Sequence, residues 1–350
     1  MSGTATPILE MRGMTKVFGN VGPGGMGTLA VDTVSLALEA SPPRIISIVG
    51  ESGSGKTTVA RALLGLNPPS SGQVLYRGND IYRLKGDDMT TFRKEVQAIF
   101  QDPYGIYNPY YHIDRVFTMT IRKFKLAQSK GEQRDLTEEA LRAVNLRPDD
   151  VLGRFPHQLS GGERQRVMLA RAYMLRPKVI IADEPISMLD VAVRATFMNI
   201  LLDFKEQHGM STLFITHDLS TAYYLGGDIM VMARGRVVEE GPAETVMASP
   251  THPYTEQLLQ AIPSSDPDRR WNGVLPANNP ASAERLVSRD RCLFAERCPY
   301  VMDICWQKRP ARYPIDQQHA LCYLHDPAIN VAAAAASDEP GAARRGTGVR

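Results

Sequence analysis

The sequence predicts an α/β fold, a mostly parallel sheet flanked by helices, and three stretches carry that prediction. "IISIVG" is a short β-branched run that breaks into a glycine-rich loop and then into the helical spacing of "TTVARALLGL". "KVIIADEP" is a second apolar run, ending in two acids, and "STLFITHD" is a third, ending in a histidine. Polar residues just beyond the C-terminal end of a parallel strand face the crevice in which such sheets bind their ligands.

Composition sets the outer bounds. A chain of 350 residues with 43% hydrophobic content supports more than one packed unit. A formal charge of +2 gives no general attraction to nucleic acid. The start, "MSGTATPILE", lacks the basic and apolar regions of a signal peptide. No apolar run approaches the roughly 20 residues that a membrane helix needs. The chain is therefore expected in the cytosol, where its four cysteines, all between 292 and 322, read as ligands rather than disulfides.

The elements come in chain order. Residues 8–38 are expected to form an antiparallel β-arm. Inside it, Gly22, Gly24 and Gly27 match the G-x-G-x-x-G pattern of dinucleotide sites. That pattern must lead into a helix, and the alternating "LAVDTVSLALE" after it reads as a strand, so the match is rejected. The strand Ile45–Val49 leads into Gly50, Glu51, Ser52, Gly53, Ser54, Gly55, Lys56 and Thr57, an unbroken G-x-x-x-x-G-K-T, with Thr58 next. Glycines let the backbone wrap with its N–H groups inward, and those groups and the helix N-terminus hold phosphate. Lys56 is expected to reach the β- and γ-phosphates of a nucleotide such as ATP, and the Thr57 hydroxyl to bind Mg²⁺. At the end of the second strand, Asp183 is expected to hold Mg²⁺ and Glu184 to polarise an attacking water as general base. In "LSGGERQRVMLARA", Ser160 caps a helix, and Gly161 and Gly162 allow close approach to a phosphate. The last strand pair, "DIMVMARGRVVEEG", turns at Arg234-Gly235.

The run Leu159–Arg166, L-S-G-G-x-x-Q-R, resembles the signature of the ATP-binding cassette (ABC) family, and the resemblance covers about residues 8–262. It implies a P-loop NTPase cassette with an antiparallel β-arm, a RecA-like parallel core and a helical subdomain at about 102–175. By that resemblance Phe18 stacks on adenine and Gln101 is the glutamine of the loop that leads to the helical subdomain, near Mg²⁺ and the γ-phosphate. Asp190 belongs to the D-loop, and His217 is the switch histidine that senses the γ-phosphate. Ser160, Gly161, Gly162 and Glu163 act on ATP held by a partner cassette, so that two cassettes sandwich two ATPs. The helical subdomain and the loop after Gln101 face the membrane partner.

Within the family, "GRFPHQLSGGERQRVMLARA", "QDPYGIYNP", "ADEPISMLDVAVRA" and "SPTHPYTEQLLQAIP" resemble the ATPase subunits of oligopeptide, dipeptide and nickel importers. The Ile186–Asp190 stretch and the tyrosines of "YNPYYHI" depart from the peptide-importer pattern and tilt the expectation toward related oligosaccharide importers. The resemblance implies a second, different ATPase subunit, two permease subunits, an extracytoplasmic binding protein and a place on the cytoplasmic face of the membrane. The competing reading, a soluble ABC ATPase acting on DNA, would carry coiled-coil or zinc insertions in the cassette, and the sequence has none.

Residues 263–290, rich in Pro, Ser and Asn, read as a linker, and 326–350 as a disordered tail. Between them Cys292, Cys298, Cys305 and Cys322 match neither a zinc knuckle nor ferredoxin spacing. Spacing alone leaves buried structural thiols and metal ligands both open. The resemblance of region 291–325 to the C-terminal region of peptide-importer ATPases implies a 4Fe–4S cluster on these four cysteines.

Overall fold

The computed structural model describes residues 7–19, 27–102, 105, 107–262 and 290–329. The chain opens with an antiparallel pair, β1 (Leu9–Phe18) and β2 (Thr28–Leu38). It enters the core as β3 (Ile45–Val49), passes through the phosphate loop into α1 (Lys56–Leu63), and returns to the arm as β4 (Ser71–Tyr76) and the short β5 (Asn79–Asp80). The arm has the order β2-β1-β4-β5, so it draws on residues well beyond the 8–38 expected from sequence. Residues 20–26, which hold most of the rejected dinucleotide pattern, lie outside the described residues; the segment after them is the strand β2.

Next come α2 (Gly86–Glu95) and β6 (Val96–Ile99). The helical insertion holds α3 (Asp114–Phe124), α4 (Lys130–Arg142), the single turn α5 (Pro148–Val151) and α6 (Gly161–Tyr173). The chain then alternates through β7 (Val179–Asp183), α7 (Val191–His208), β8 (Ser211–Thr216), α8 (Leu219–Leu225), β9 (Asp228–Ala233), β10 (Arg236–Pro242) and α9 (Ala243–Ala248). The core sheet runs β9-β3-β8-β7-β6 with every neighbour parallel, and β10 returns antiparallel on β9. The turn between β9 and β10 is the Arg234-Gly235 hairpin read from sequence, and both residues have positive φ, 45° and 86°.

Period-2 alternation explains why the central strands are apolar throughout. Along β7, Ile180 and Ala182 pack with Phe117, Leu141, Val167 and Phe214 on the helical side. Val179 and Ile181 face the other way, toward Leu9, Met14, Val59 and Leu63 of the arm side. A strand covered on both faces needs hydrophobic residues at every position. The helices carry matching local signals. Ser129 and Glu132 cap α4 reciprocally, Ser160 and Glu163 do the same for α6, and α7 ends at Gly209 in the left-handed conformation.

A second compact unit begins at Ser249. It holds α10 (Pro253–Gln260), α11 (Asp303–Gln307) and a small hairpin, β11 (Tyr313–Ile315) with β12 (Gln318–Ala320). By its sequence "HPYTEQLLQAI" closes the cassette at 262; in the structure this helix is built into the cysteine region. Tyr254 packs edge-on against Phe294 at 5.6 Å, and Gln257 Nε2 donates to the Arg297 carbonyl at 3.1 Å. Aromatic packing against a segment some 40 residues downstream leaves no trace in local periodicity. Residues 263–289 of the expected linker lie outside the described residues. So do 330–350 of the expected tail, but its first residues are ordered: the Tyr313 hydroxyl donates to Asp326 at 2.7 Å, and Asp326 accepts from Ala328 N–H at 2.9 Å.

Phe117 is fully buried in the core shared by the helical insertion and the sheet. Phe117→Ala is expected to destabilise the cassette by about 3–5 kcal/mol, read from the shift in urea midpoint.

Candidate functional site

The phosphate loop is shaped by contacts that only glycine allows. Gly50 has φ 152°, and a Cβ there would lie 2.1 Å from the Met232 carbonyl oxygen. Gly55 has φ 105°, and its Cβ would lie 2.4 Å from the Ala30 carbonyl oxygen. The loop is thus pressed against β9 on one side and β2 on the other. At its centre the buried Lys56 ammonium donates to the carbonyls of Gly50 at 2.7 Å and Glu51 at 2.8 Å. Burial pushes the Lys56 pKa down, opposed by the charges of Glu184, Asp183 and Glu51. Ser52 and Gly53 stand exposed at the loop tip, Ser54 is buried, and Thr57 is exposed beside the half-buried Thr58. No acid sits in the first turn of α1, so the positive end of that helix is left uncompensated.

Parallel pairing brings the next residues to the loop. The strands β3, β8, β7 and β6 are neighbours, so their C-terminal ends line one edge. The Thr57 hydroxyl donates to Asp183 Oδ1 at 3.2 Å, joining the phosphate loop to the end of β7. Burial raises the Asp183 carboxyl above its ordinary range, against the lowering effect of the Thr57 bond and of Arg61 and Lys56. Glu184 has φ 46°, an uncommon conformation for a residue other than glycine. Its N–H donates across to the Ile215 carbonyl of β8 at 2.9 Å. Its Oε2 lies 3.3 Å from His217 Nδ1, just past the end of β8. Gln101 is exposed, two residues beyond the end of β6. In donor chemistry, the hydroxyl, carboxylate and amide of Thr57, Asp183 and Gln101 are the hard oxygen ligands that Mg²⁺ prefers.

The remaining expected residues form separate groups. Phe18, 42% exposed at the end of β1, has the Lys16 ammonium 5.1 Å from its ring centre. Ser160 accepts from Glu163 N–H at 3.2 Å, and Glu163 Oε2 accepts from Ser160 N–H at 2.8 Å. A Cβ on Gly162 would meet Val193 Cγ1 at 2.4 Å, so the signature turn lies directly on α7. The exposed Asp190 starts α7, its carbonyl accepting from Arg194 N–H at 2.9 Å.

Two residues of this region are given no site role by the sequence. Gln165 is 0% exposed, and its Nε2 donates to the Phe100 carbonyl at 3.0 Å. Tyr107 is also buried, and its hydroxyl donates to the Arg164 carbonyl at 2.7 Å. Both fasten the end of β6 and the chain beyond it to the first turns of α6. Gln165 was findable: it lies three residues after Gly162 and four before Leu169, on the buried stripe of the helix.

In the second unit none of the four cysteines is in a disulfide, and Cys305 and Cys322 are buried. Cys292 N–H donates to the Cys305 carbonyl at 2.9 Å. Burial raises the Cys322 thiol to about 12, and the charges of Cys292, Cys298 and Cys305 add to the rise; Cys298 is raised for the same reasons. In donor type four thiols suit iron–sulfur or zinc. In placement they fall short of the expected cluster site: among the described residues, no group of three or more His, Cys, Asp or Glu side chains is disposed to hold a metal ion.

Comparison with known proteins bears on the family and the fold. A family described as ABC transporter matches residues 32–187, and one described as oligopeptide/dipeptide transporter, C-terminal region, matches 238–305. The chain is 38% identical to the di/tripeptide transport ATP-binding protein DppF of Pseudomonas aeruginosa, over 84% of this chain and 89% of that one. It is 37% identical to the oligopeptide transport ATP-binding protein OppF of Salmonella typhimurium, over 85% and 88%. Among solved structures, it is similar to an ATP-binding cassette captured as a dimer in a post-hydrolysis state with ADP and Pi, at 28% identity and a TM-score of 0.59. That match covers 67% of this chain and 98% of the other.

A carboxyl whose folded pKa is raised favours the folded state below that pKa and costs stability as pH rises through it. Asp183→Asn is therefore expected to raise the melting temperature of the nucleotide-free protein, with a gap over wild type that widens from acid to neutral pH. Differential scanning fluorimetry across that range checks it; a gap that narrows with rising pH contradicts the assignment.

Proposed function

The chain belongs to the ABC transporter ATPases, and we propose that its cassette binds and hydrolyses ATP at the Lys56–Asp183–His217 edge to drive the import of short peptides. The single observation that carries this reading is the Thr57–Asp183 contact, which joins the phosphate loop to the acid that ends β7.

The loop amides from Gly50 to Thr58 and the N-terminus of α1 take the β- and γ-phosphates, with Lys56 as the buried cation beneath them. Thr57, Asp183 and Gln101 would hold Mg²⁺, which when bound spreads the charge of the transferring phosphate. Glu184 accepts the proton of the attacking water. His217, at 3.3 Å from Glu184, holds the γ-phosphate in line and keeps the carboxylate in place. Phe18 offers an exposed aromatic face to adenine. Ser160, Gly161, Gly162, Glu163 and Asp190 face the ATP of a partner cassette, so hydrolysis needs two cassettes. Most of the rate then comes from positioning and preorganised charge.

The import reading rests on the relatives. DppF and OppF are transport ATP-binding proteins for di/tripeptides and oligopeptides, which favours peptides over the oligosaccharides toward which the sequence leans. No helix among the described residues is long and apolar enough to cross a membrane. By the reading taken from the relatives, passage of cargo falls to permease subunits, with this chain at their cytoplasmic face beside a second ATPase subunit and an extracytoplasmic binding protein as supplier. We also propose that the four cysteines hold a 4Fe–4S cluster. The donor set of four thiols supports this reading; because no three of them are disposed to hold a metal among the described residues, the side chains would have to turn toward one another to bind it.

Glu184→Gln in the assembled complex is expected to keep ATP binding and lose about 10²–10⁴-fold in turnover; undiminished turnover would remove Glu184 from the chemistry. For the cysteines, protein purified without oxygen is expected to be brown with about four irons per chain. Colourless, iron-free protein with four titratable thiols would overturn the cluster.

A further inference from the structure

The back of the phosphate loop leans on the β9–β10 turn. Gly235 N–H donates to the Ser54 carbonyl at 2.9 Å, and the Gly235 carbonyl accepts from Asp32 N–H of β2 at 2.8 Å. One residue on, the Arg236 guanidinium grips Asp32 Oδ2, with Nε at 2.6 Å and Nη2 at 2.5 Å. The other carboxylate oxygen, Oδ1, accepts from the Thr33 hydroxyl at 2.9 Å. The pair is nearly dry, with side-chain exposures of 5% for Arg236 and 12% for Asp32. Toward the strand's start, β2 pairs through Thr28 with Phe18. A continuous chain of contacts thus runs from the aromatic of the arm, along β2, through Asp32 and the hairpin turn, to the loop at Ser54.

We infer that Asp32 and Arg236 are positioning residues that set the offset between the adenine platform at Phe18 and the phosphate loop, and so select for a full nucleoside triphosphate. Buried ion pairs contribute little net stability compared with apolar residues of similar volume. What they add is direction: charge-assisted bonds fix one register where apolar packing tolerates several. Here the carboxylate is held at both oxygens, and the guanidinium sits next to the glycine that supports the loop. Phosphate binding alone needs only the loop, its lysine and the helix end. Binding of the whole nucleotide also needs the base stacked on Phe18 while its phosphates are in the loop, and the ion pair spans these two requirements. The inference rests on the reading of Phe18 as the base platform.

The test replaces the pair by apolar residues, Asp32→Leu with Arg236→Met, in the full chain, and measures Mg-ATP and Mg-tripolyphosphate affinity by calorimetry. Wild type must bind Mg-ATP; failure there would defeat the nucleotide reading itself, separately from this inference. The variant is expected to keep its affinity for tripolyphosphate and to lose about tenfold for ATP, the scale of losing one base–aromatic stack. Unchanged ATP affinity would overturn the inference, and so would an equal loss for both ligands, which would mark general damage to the loop. Should the double variant not fold, Arg236→Lys keeps the charge but not the planar fork. In that variant a selective loss for ATP supports the inference and no selective loss overturns it.

Discussion

The ammonium of Lys56 is a cation kept out of water, held by the carbonyls of Gly50 and Glu51, and much of the cassette is organised around keeping it there. Burying such a charge is costly unless it is well bonded and opposed by nearby negative charge. The loop supplies the bonds by wrapping so tightly that Gly50 and Gly55 press on the carbonyls of Met232 and Ala30. The end of β7 supplies the opposing charge in Asp183 and Glu184. Asp183 is itself held in an unfavourable setting, buried and raised in pKa. Each group partly offsets the cost of the other, and an anionic ligand with its cation completes the balance. Parallel pairing of β3, β8 and β7 makes the arrangement reproducible, because it delivers all these groups to one edge.

The signature turn shows a second economy. Ser160 and Glu163 satisfy each other's backbone N–H groups at the start of α6, a reciprocal cap. A serine whose oxygen turns to a ligand gives up its part in that cap, which is worth about 0.5–2 kcal/mol. Glu163 still accepts from the Ser160 N–H, so the helix start keeps one of its two bonds. The turn is also fixed by Gly162 against Val193, leaving Ser160 exposed on a firm base.

Much of this was legible in the sequence because the determining forces are local. The strands around Ile45–Val49 and Val179–Asp183, the glycine loop, the Ser160 cap and the Arg234-Gly235 turn each arise from short-range pattern or backbone chemistry. What escaped depends on distant partners. The strand Ser71–Tyr76 joins the arm only through pairing with β1. Helical spacing puts Gln165 on the buried stripe of α6, but its partner, the Phe100 carbonyl, lies 65 residues away and leaves no mark there. Asp32 and Arg236, more than 200 residues apart, carry no signal of one another. The cysteines were conspicuous, but whether thiols converge is a matter of side-chain direction that spacing does not encode.

The start of the second unit at Ser249, rather than after the next helix, bears on how the protein can be divided. His252 caps α10 through its Nδ1, which accepts from Tyr254 N–H at 3.0 Å, and its ring lies 5.8 Å from Phe294. Gln257 reaches the carbonyl beside Cys298. A cut made by sequence alone, after Ile262, would leave α10 attached to the wrong piece, its aromatic face bare to water. The cysteine-bearing piece would at the same time lose the helix against which Phe294 folds. The division between Ala248 and Ser249 keeps α10 with its aromatic partner, so exchange of C-terminal regions between related subunits at that junction would carry Tyr254 together with Phe294.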